Sequence, residues 1–135
     1  MTMNDATAST HDTIYVYLRD CSVPLFVGIY DHEKPKPQPV IVHVEVIAPL
    51  TQRYDDVAAS NVALVINYEQ LYDFVTLVLP GLGHVPLLES VAESIITFCF
   101  KDPRINEVRV RLEKPEAFRG QTLAGIDMRR RRVVT

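Results

Sequence analysis

The chain is predicted to be an α+β protein, a four-stranded antiparallel sheet with two helices packed on one face, in the order β-β-α-α-β-β. Three observations carry this expectation. Apolar and polar residues alternate with period two in four separate stretches. Two stretches in the middle of the chain repeat their apolar residues at helical spacing instead. Glycine, proline and charged clusters separate the stretches, and an antiparallel sheet with helices segregated to one face accommodates that order.

In chain order, Ile14, Val16 and Leu18 alternate with Tyr15, Tyr17 and Arg19, and Pro24 to Ile29 resumes an extended apolar run. This is the first strand, expected to be bulged. Residues Tyr30 to Pro37 hold Asp31-His32-Glu33-Lys34 and two prolines that cannot donate to a ladder, so the chain reverses there. Gln38 to Leu50 puts Val40, Val42, Val44 and Val46 on one face and Ile41, His43, Glu45 and Ile47 on the other. Thr51 to Ile66 is an irregular crossover containing Asp55-Asp56. Asn67 and Gln70 have capping-box spacing and open a helix expected to bury Leu71, Phe74, Val75, Val78 and Leu79. Gly81 and Gly83 end it. A second helix is expected from Pro86 to Lys101, with Leu88, Val91, Ala92, Ile95, Ile96 and Cys99 inward and Asp102-Pro103 as its stop. Val108, Val110 and Leu112 give the third strand, and Leu123 to Arg131 the fourth, after a turn at Gly120. The long second strand has an apolar-rich face with no third layer to cover it. The sheet is therefore expected to continue into neighbouring copies and close a barrel without edges, making a homo-oligomer.

Composition narrows the function classes. The 135 residues are 47% hydrophobic and 23% charged, as in one globular domain, expected over residues 13–135. Residues 1–12 are polar, lack lysine and arginine, and are expected to be a loose tail rather than a signal or transit peptide. A net charge of -3 gives no global attraction to nucleic acid or anionic lipid. Arg129 to Arg132 is the one basic run; without interleaved aromatics it lacks the stacking platform of an RNA binder and reads as a polar strand end. Cys21 and Cys99 have neither metal nor redox spacing and read as free thiols in a reducing, cytoplasmic setting. The four histidines form no metal motif, so no metal or cofactor is expected, and no membrane-length apolar run exists.

Four polar residues remain. Glu33 lies in the first turn, Tyr68 opens the first helix, Glu89 opens the second, and Lys114 ends the third strand ahead of Pro115. A carboxylate in a first helical turn is held ionised by the free backbone N–H groups and can accept two parallel hydrogen bonds from one flat donor edge, such as that of an amino-pyrimidinone ring. Pro115 holds Lys114 extended where the strand leaves the sheet. Taken singly, Glu33, Glu89 and Lys114 read as ordinary solvated charges and Tyr68 as a half-buried tyrosine beside an apolar helix.

Together these residues resemble the dihydroneopterin aldolase family from Asp12 to about Arg130. The landmarks are Asp12-Thr13-Ile14, Gly28-Ile29-Tyr30-Asp31-His32-Glu33 with Gln38 five residues on, Asn67-Tyr68, Leu87-Leu88-Glu89-Ser90-Val91-Ala92-Glu93, Lys114-Pro115 and Ala124-Gly125-Ile126. The resemblance implies the tunnelling fold, with chains closing into four-membered rings that stack into an octamer and active sites between subunits. It implies that Glu89, with the backbone of Leu88, holds the pterin ring and that Glu33 meets the side-chain hydroxyls. Tyr68 would reach in from the adjacent subunit, and Lys114 would be the general acid and base. The implied reaction is retro-aldol cleavage of 7,8-dihydroneopterin in tetrahydrofolate biosynthesis, with C2′ epimerisation alongside. Neither metal nor Schiff base is needed, because the ring's own imine takes the electrons. Related epimerases of dihydroneopterin triphosphate share the scaffold but are expected to differ at the Lys114-Pro115 pair. A non-catalytic pterin-binding oligomer is the remaining alternative.

Overall fold

In the computed structural model, residues 12–55 and 62–133 are described. The tail read from residues 1–12 lies outside them except for Asp12, as does Asp56 of the crossover. Four strands, β1 (Thr13–Leu25), β2 (Gln38–Pro49), β3 (Glu107–Lys114) and β4 (Ala124–Arg131), form one sheet in the order β1-β2-β3-β4, antiparallel throughout. Between β2 and β3 come α1 (Tyr68–Asp73) and α2 (Leu88–Cys99). The expected order and layers are those observed. No helix among the described residues is long and apolar enough to cross a membrane.

β1 shows how one extra residue aims a strand. Val16 and Leu18 stand opposite Val46 and Val44, but after a register shift Cys21, Val23 and Leu25 stand opposite Val42, Val40 and Gln38. Inward positions change from even to odd numbers across this bulge, where Asp20 takes a positive φ of 60°. Both halves of the strand thus face the same core. Pro24 is tolerated because β1 is an edge strand. The strand stops at Leu25, short of the expected Ile29, because residues 26–28 leave β2 and bridge in parallel to Val85.

Val40, Val42, Val44 and Val46 are buried, with Val108, Val110 and Leu112 beside them and Ile95 and Ala92 of α2 above. The valine face of β2 is the one the molecule's own helices cover. The other face of the sheet carries ion pairs, Arg109 with Asp127 at 2.7 Å and Glu107 with Arg129 and Arg131 at 3.2 Å each. Among the described residues, the outer edges of β1 and β4 have no partner strand.

α1 begins at Asn67, whose side-chain oxygen accepts the Glu69 N–H at 2.9 Å while its carbonyl accepts the Gln70 N–H at 3.2 Å. The helix then widens into a π turn over Phe74–Val78 and tightens to a 3₁₀ turn over Leu79–Leu82. Widening keeps Leu71, Val75 and Leu79 in one buried row, four residues apart, and rotates Val78 off that row. Val78 is 46% exposed, against the expectation that it is core. Phe74 stacks on Phe98 of α2, ring centroids 4.2 Å apart. Helix α2 is shorter than expected by two residues at each end: Pro86 precedes its cap, Leu87, and Phe100 closes it.

The arginine run is absorbed into the fold. Arg130 pairs with Glu93 of α2, and Arg132 donates to the carbonyls of Phe100, Asp102 and Ile105 at 2.8–2.9 Å, satisfying backbone acceptors at and just beyond the C-terminal end of α2. Gly125 permits β4 to approach β3 closely, since a Cβ there would lie 1.9 Å from the Leu112 carbonyl oxygen. Gly125→Ala is expected to lose about 1–3 kcal/mol in urea unfolding through forced displacement of β4. A variant as stable as the parent would contradict that packing.

Candidate active site

The site grows from the end of β1. Gly28, at φ 142°, is the floor: a Cβ there would lie 2.2 Å from Glu33 Cδ, so only glycine lets the Glu33 carboxylate fold back over it. Glu33 closes a 3₁₀ turn, Asp31–Glu33, which puts its side chain under its own loop. Oε1 accepts the Tyr30 N–H at 3.3 Å, and Oε2 accepts Gln38 Nε2 at 3.0 Å and Lys114 Nζ at 2.5 Å. Gln38, the first residue of β2, also donates to the Val27 carbonyl at 2.8 Å. Lys114 arrives from the last position of β3, so the antiparallel register of β2 and β3 brings together residues 81 apart in sequence.

Both side chains are largely enclosed, Lys114 at 15% and Glu33 at 11% exposure. The hydrogen bond from Lys114 holds the Glu33 carboxyl down at about 2; burial opposes this, and the Gln38 and Tyr30 donors add to it. Among the described residues the Glu33 carboxylate is the only hydrogen-bond partner of the Lys114 ammonium. An ammonium has three donors, so two remain for a substrate.

The start of α2 lies beside this pair. The Gly28 N–H donates to the Val85 carbonyl at 3.2 Å and the Val85 N–H to the Phe26 carbonyl at 2.8 Å. His84 Nε2 stands 2.8 Å from the Gly28 carbonyl. Leu88 is half-buried against the core, and Glu89 stands exposed in the first turn, as its position implied. Tyr68 is elsewhere. It is 63% exposed and lines a cleft of about 650 Å³ with Val16, Val46, Asn67 and Arg104. Val46 is opposite Val108, and Lys114 lies six residues further along β3. At ~3.3 Å per residue the two ends are roughly 20 Å apart. One chain thus joins Glu33 with Lys114, sets α2 next to them, and leaves Tyr68 at the far end.

Gln38 and Gly28 stood in the sequence only as landmarks without a role, and His84 only as a histidine outside any metal motif. Their signal is a contact between segments far apart in the chain, which spacing does not encode. Among the described residues, no group of three or more His, Cys, Asp or Glu side chains is placed to hold a metal ion.

Fold and site together define a small α+β protein with a half-buried lysine–carboxylate pair at one end of its sheet, suited to moving protons. A family model described as FolB, dihydroneopterin aldolase, matches residues 16–129, and the chain belongs to that family. Solved structures share the fold. A dihydroneopterin aldolase from a Burkholderia, bound to guanine, is 22% identical with a TM-score of 0.75 over 93% of this chain and 96% of its own. That of E. coli, in complex with neopterin, is 24% identical with a TM-score of 0.71 over 87% of this chain and 98% of its own. No curated protein matches the chain.

The depressed Glu33 carboxyl makes stability depend on pH. Its value falls from 4.5 to about 2 on folding, so the folded state binds fewer protons, and the stabilisation is complete above 4.5 and lost as pH falls towards 2. Glu33→Gln is expected to be less stable than wild type at neutral pH by on the order of 2–3 kcal/mol, with the two converging in strong acid. Urea unfolding across that range checks it; a deficit that stays constant down to about pH 2 would contradict the ion pair.

Proposed function

We propose that this protein cleaves the side chain of 7,8-dihydroneopterin, giving 6-hydroxymethyl-7,8-dihydropterin and glycolaldehyde, in the cytoplasm and in the service of folate biosynthesis. Family membership sets the substrate class, and the enclosed Lys114–Glu33 pair is the observation that carries the chemistry. The proton on the hydroxyl of C2′ leaves, the C1′–C2′ bond breaks, and its electron pair moves into the ring imine. C2′ departs as the aldehyde, and a proton is delivered to C1′. The substrate is its own electron sink, so neither a metal nor a Schiff base enters the reaction. Lys114 exchanges both protons, worth roughly a hundred- to ten-thousand-fold in rate. Glu33 keeps the lysine in place and receives the side-chain hydroxyls.

Glu89 accepts the amino and ring N–H donors of the pterin, with the Leu88 backbone beside it. Tyr68 comes from an adjacent copy, because roughly 20 Å of sheet separates it from Lys114 within one chain. Exposed apolar side chains at both ends support such head-to-tail contact: Ile29, Tyr30, Leu87, Phe118 and Leu123 near Lys114, and Ile14, Tyr54 and Val65 near Tyr68. β1 of one copy pairing with β4 of the next would close the unpaired edges into a ring of four, and two rings would stack into an octamer.

Release of glycolaldehyde from 7,8-dihydroneopterin tests the reading. Lys114→Ala is expected to lose at least a hundredfold in turnover, on the order of what one acid-base group supplies, and still to bind the pterin product. Glu89→Ala is expected to lose that binding, a cost on the order of 2–5 kcal/mol by calorimetry. Wild-type protein that releases no glycolaldehyde would overturn the proposal.

A further inference from the structure

We propose that His84 is a positioning residue, which sets the separation between the Glu33–Lys114 pair and the start of α2 through a hydrogen bond from its Nε2–H to the Gly28 carbonyl. The inference rests on the aldolase reading above and adds to it a residue that touches no substrate.

A carbonyl oxygen only accepts, so Nε2 of His84, 2.8 Å away, carries the proton in the neutral ring and in the charged one alike. That nitrogen is committed and cannot serve as a base. Residues 84–85 hold both polar backbone groups of Gly28: its N–H donates to the Val85 carbonyl at 3.2 Å, and its carbonyl accepts the imidazole. The backbone bonds would form whatever residue stood at position 84. The bond to the carbonyl needs a side-chain donor of imidazole reach.

Gly28 is also the floor under Glu33, whose carboxylate passes so close that no Cβ fits between them. On the other side, His84 is four residues ahead of Leu88, the first residue of α2. Sliding residues 84–85 past Gly28 therefore moves the ring-binding start of α2 against the proton-transferring pair. A misplacement of about 1 Å between two such halves can cost up to a hundredfold in rate while leaving each half intact.

The test compares wild type, His84→Gln and His84→Ala in glycolaldehyde release and in calorimetric binding of 6-hydroxymethyl-7,8-dihydropterin, which lacks the departing carbons. His84→Ala is expected to lower kcat roughly ten- to a hundredfold with product affinity within about twofold of wild type. His84→Gln, which keeps a long side-chain donor, is expected to recover most of the loss. The shape of the pH–rate profile should be unchanged in His84→Ala, since the imidazole exchanges no proton with substrate. Equal turnover in all three proteins overturns the inference and leaves the aldolase reading standing. So does product affinity that falls in step with kcat, a lost limb of the pH profile, or glutamine no better than alanine. A wild type that releases no glycolaldehyde overturns the reading and the inference together. Should His84→Ala fail to fold, His84→Asn, whose amide falls a methylene short, takes its place under the same criteria.

Discussion

Lys114 and Glu33 meet in a nearly closed position, and most of the architecture around them is needed to make that meeting possible. Two charges taken out of water must be paired and their remaining bonds satisfied, or the loop carrying Glu33 would open to solvent. The carboxylate accordingly takes donors from Lys114, Gln38 and the Tyr30 backbone. Each donor is delivered by a different device. The β2–β3 register brings up Lys114, the first residue of β2 supplies Gln38, and a 3₁₀ turn folds Glu33 back over a glycine. The bulge in β1 belongs to the same arrangement, because without its change of phase Val23 and Leu25 would turn away from the core.

The same rigidity that fixes the pair at one end of the sheet keeps Tyr68 away from it. Strand rise leaves no conformational freedom by which α1 could bring Tyr68 to Lys114 within a chain whose central strands are pinned by the buried side chains of Val40 to Val46 and Val108 to Leu112. Exposed apolar side chains stand at both ends, and among the described residues the outer edges of β1 and β4 have no partner strand. A reaction that needs a ring anchor, a proton-transferring pair and an aromatic neighbour would then be assembled from two copies, and the oligomer would be part of the active site.

Much of the fold was legible in the chain itself. The valine row of β2 names its buried face, and the change from even to odd inward positions along β1 betrays the bulge. Helix α2 shows in the spacing of Val91, Ala92, Ile95, Ile96 and Cys99. The π turn was not legible, because Leu71, Val75 and Leu79 fit an α-helical face as well as a widened one, and Val78 was placed in the core on that account. At the candidate site, Glu33 and Lys114 were singled out through the family resemblance and do meet, whereas the bonds from Gln38 and the contact of His84 with Gly28 are products of tertiary approach. No local pattern announces them.

The central claim is that a complete site needs Lys114 from one chain and Tyr68 from the next. Inactive Lys114→Ala and inactive Tyr68→Phe proteins, mixed in equal amounts, unfolded and reassembled together, measure this directly. If each site is shared, random assembly leaves roughly a quarter of sites with both residues intact, and glycolaldehyde release should rise from near nothing to about that fraction of wild type. If both residues served one chain's own site, no mixed assembly could repair it. Activity that stays at the level of the parents, with subunit exchange demonstrated, would contradict the shared site.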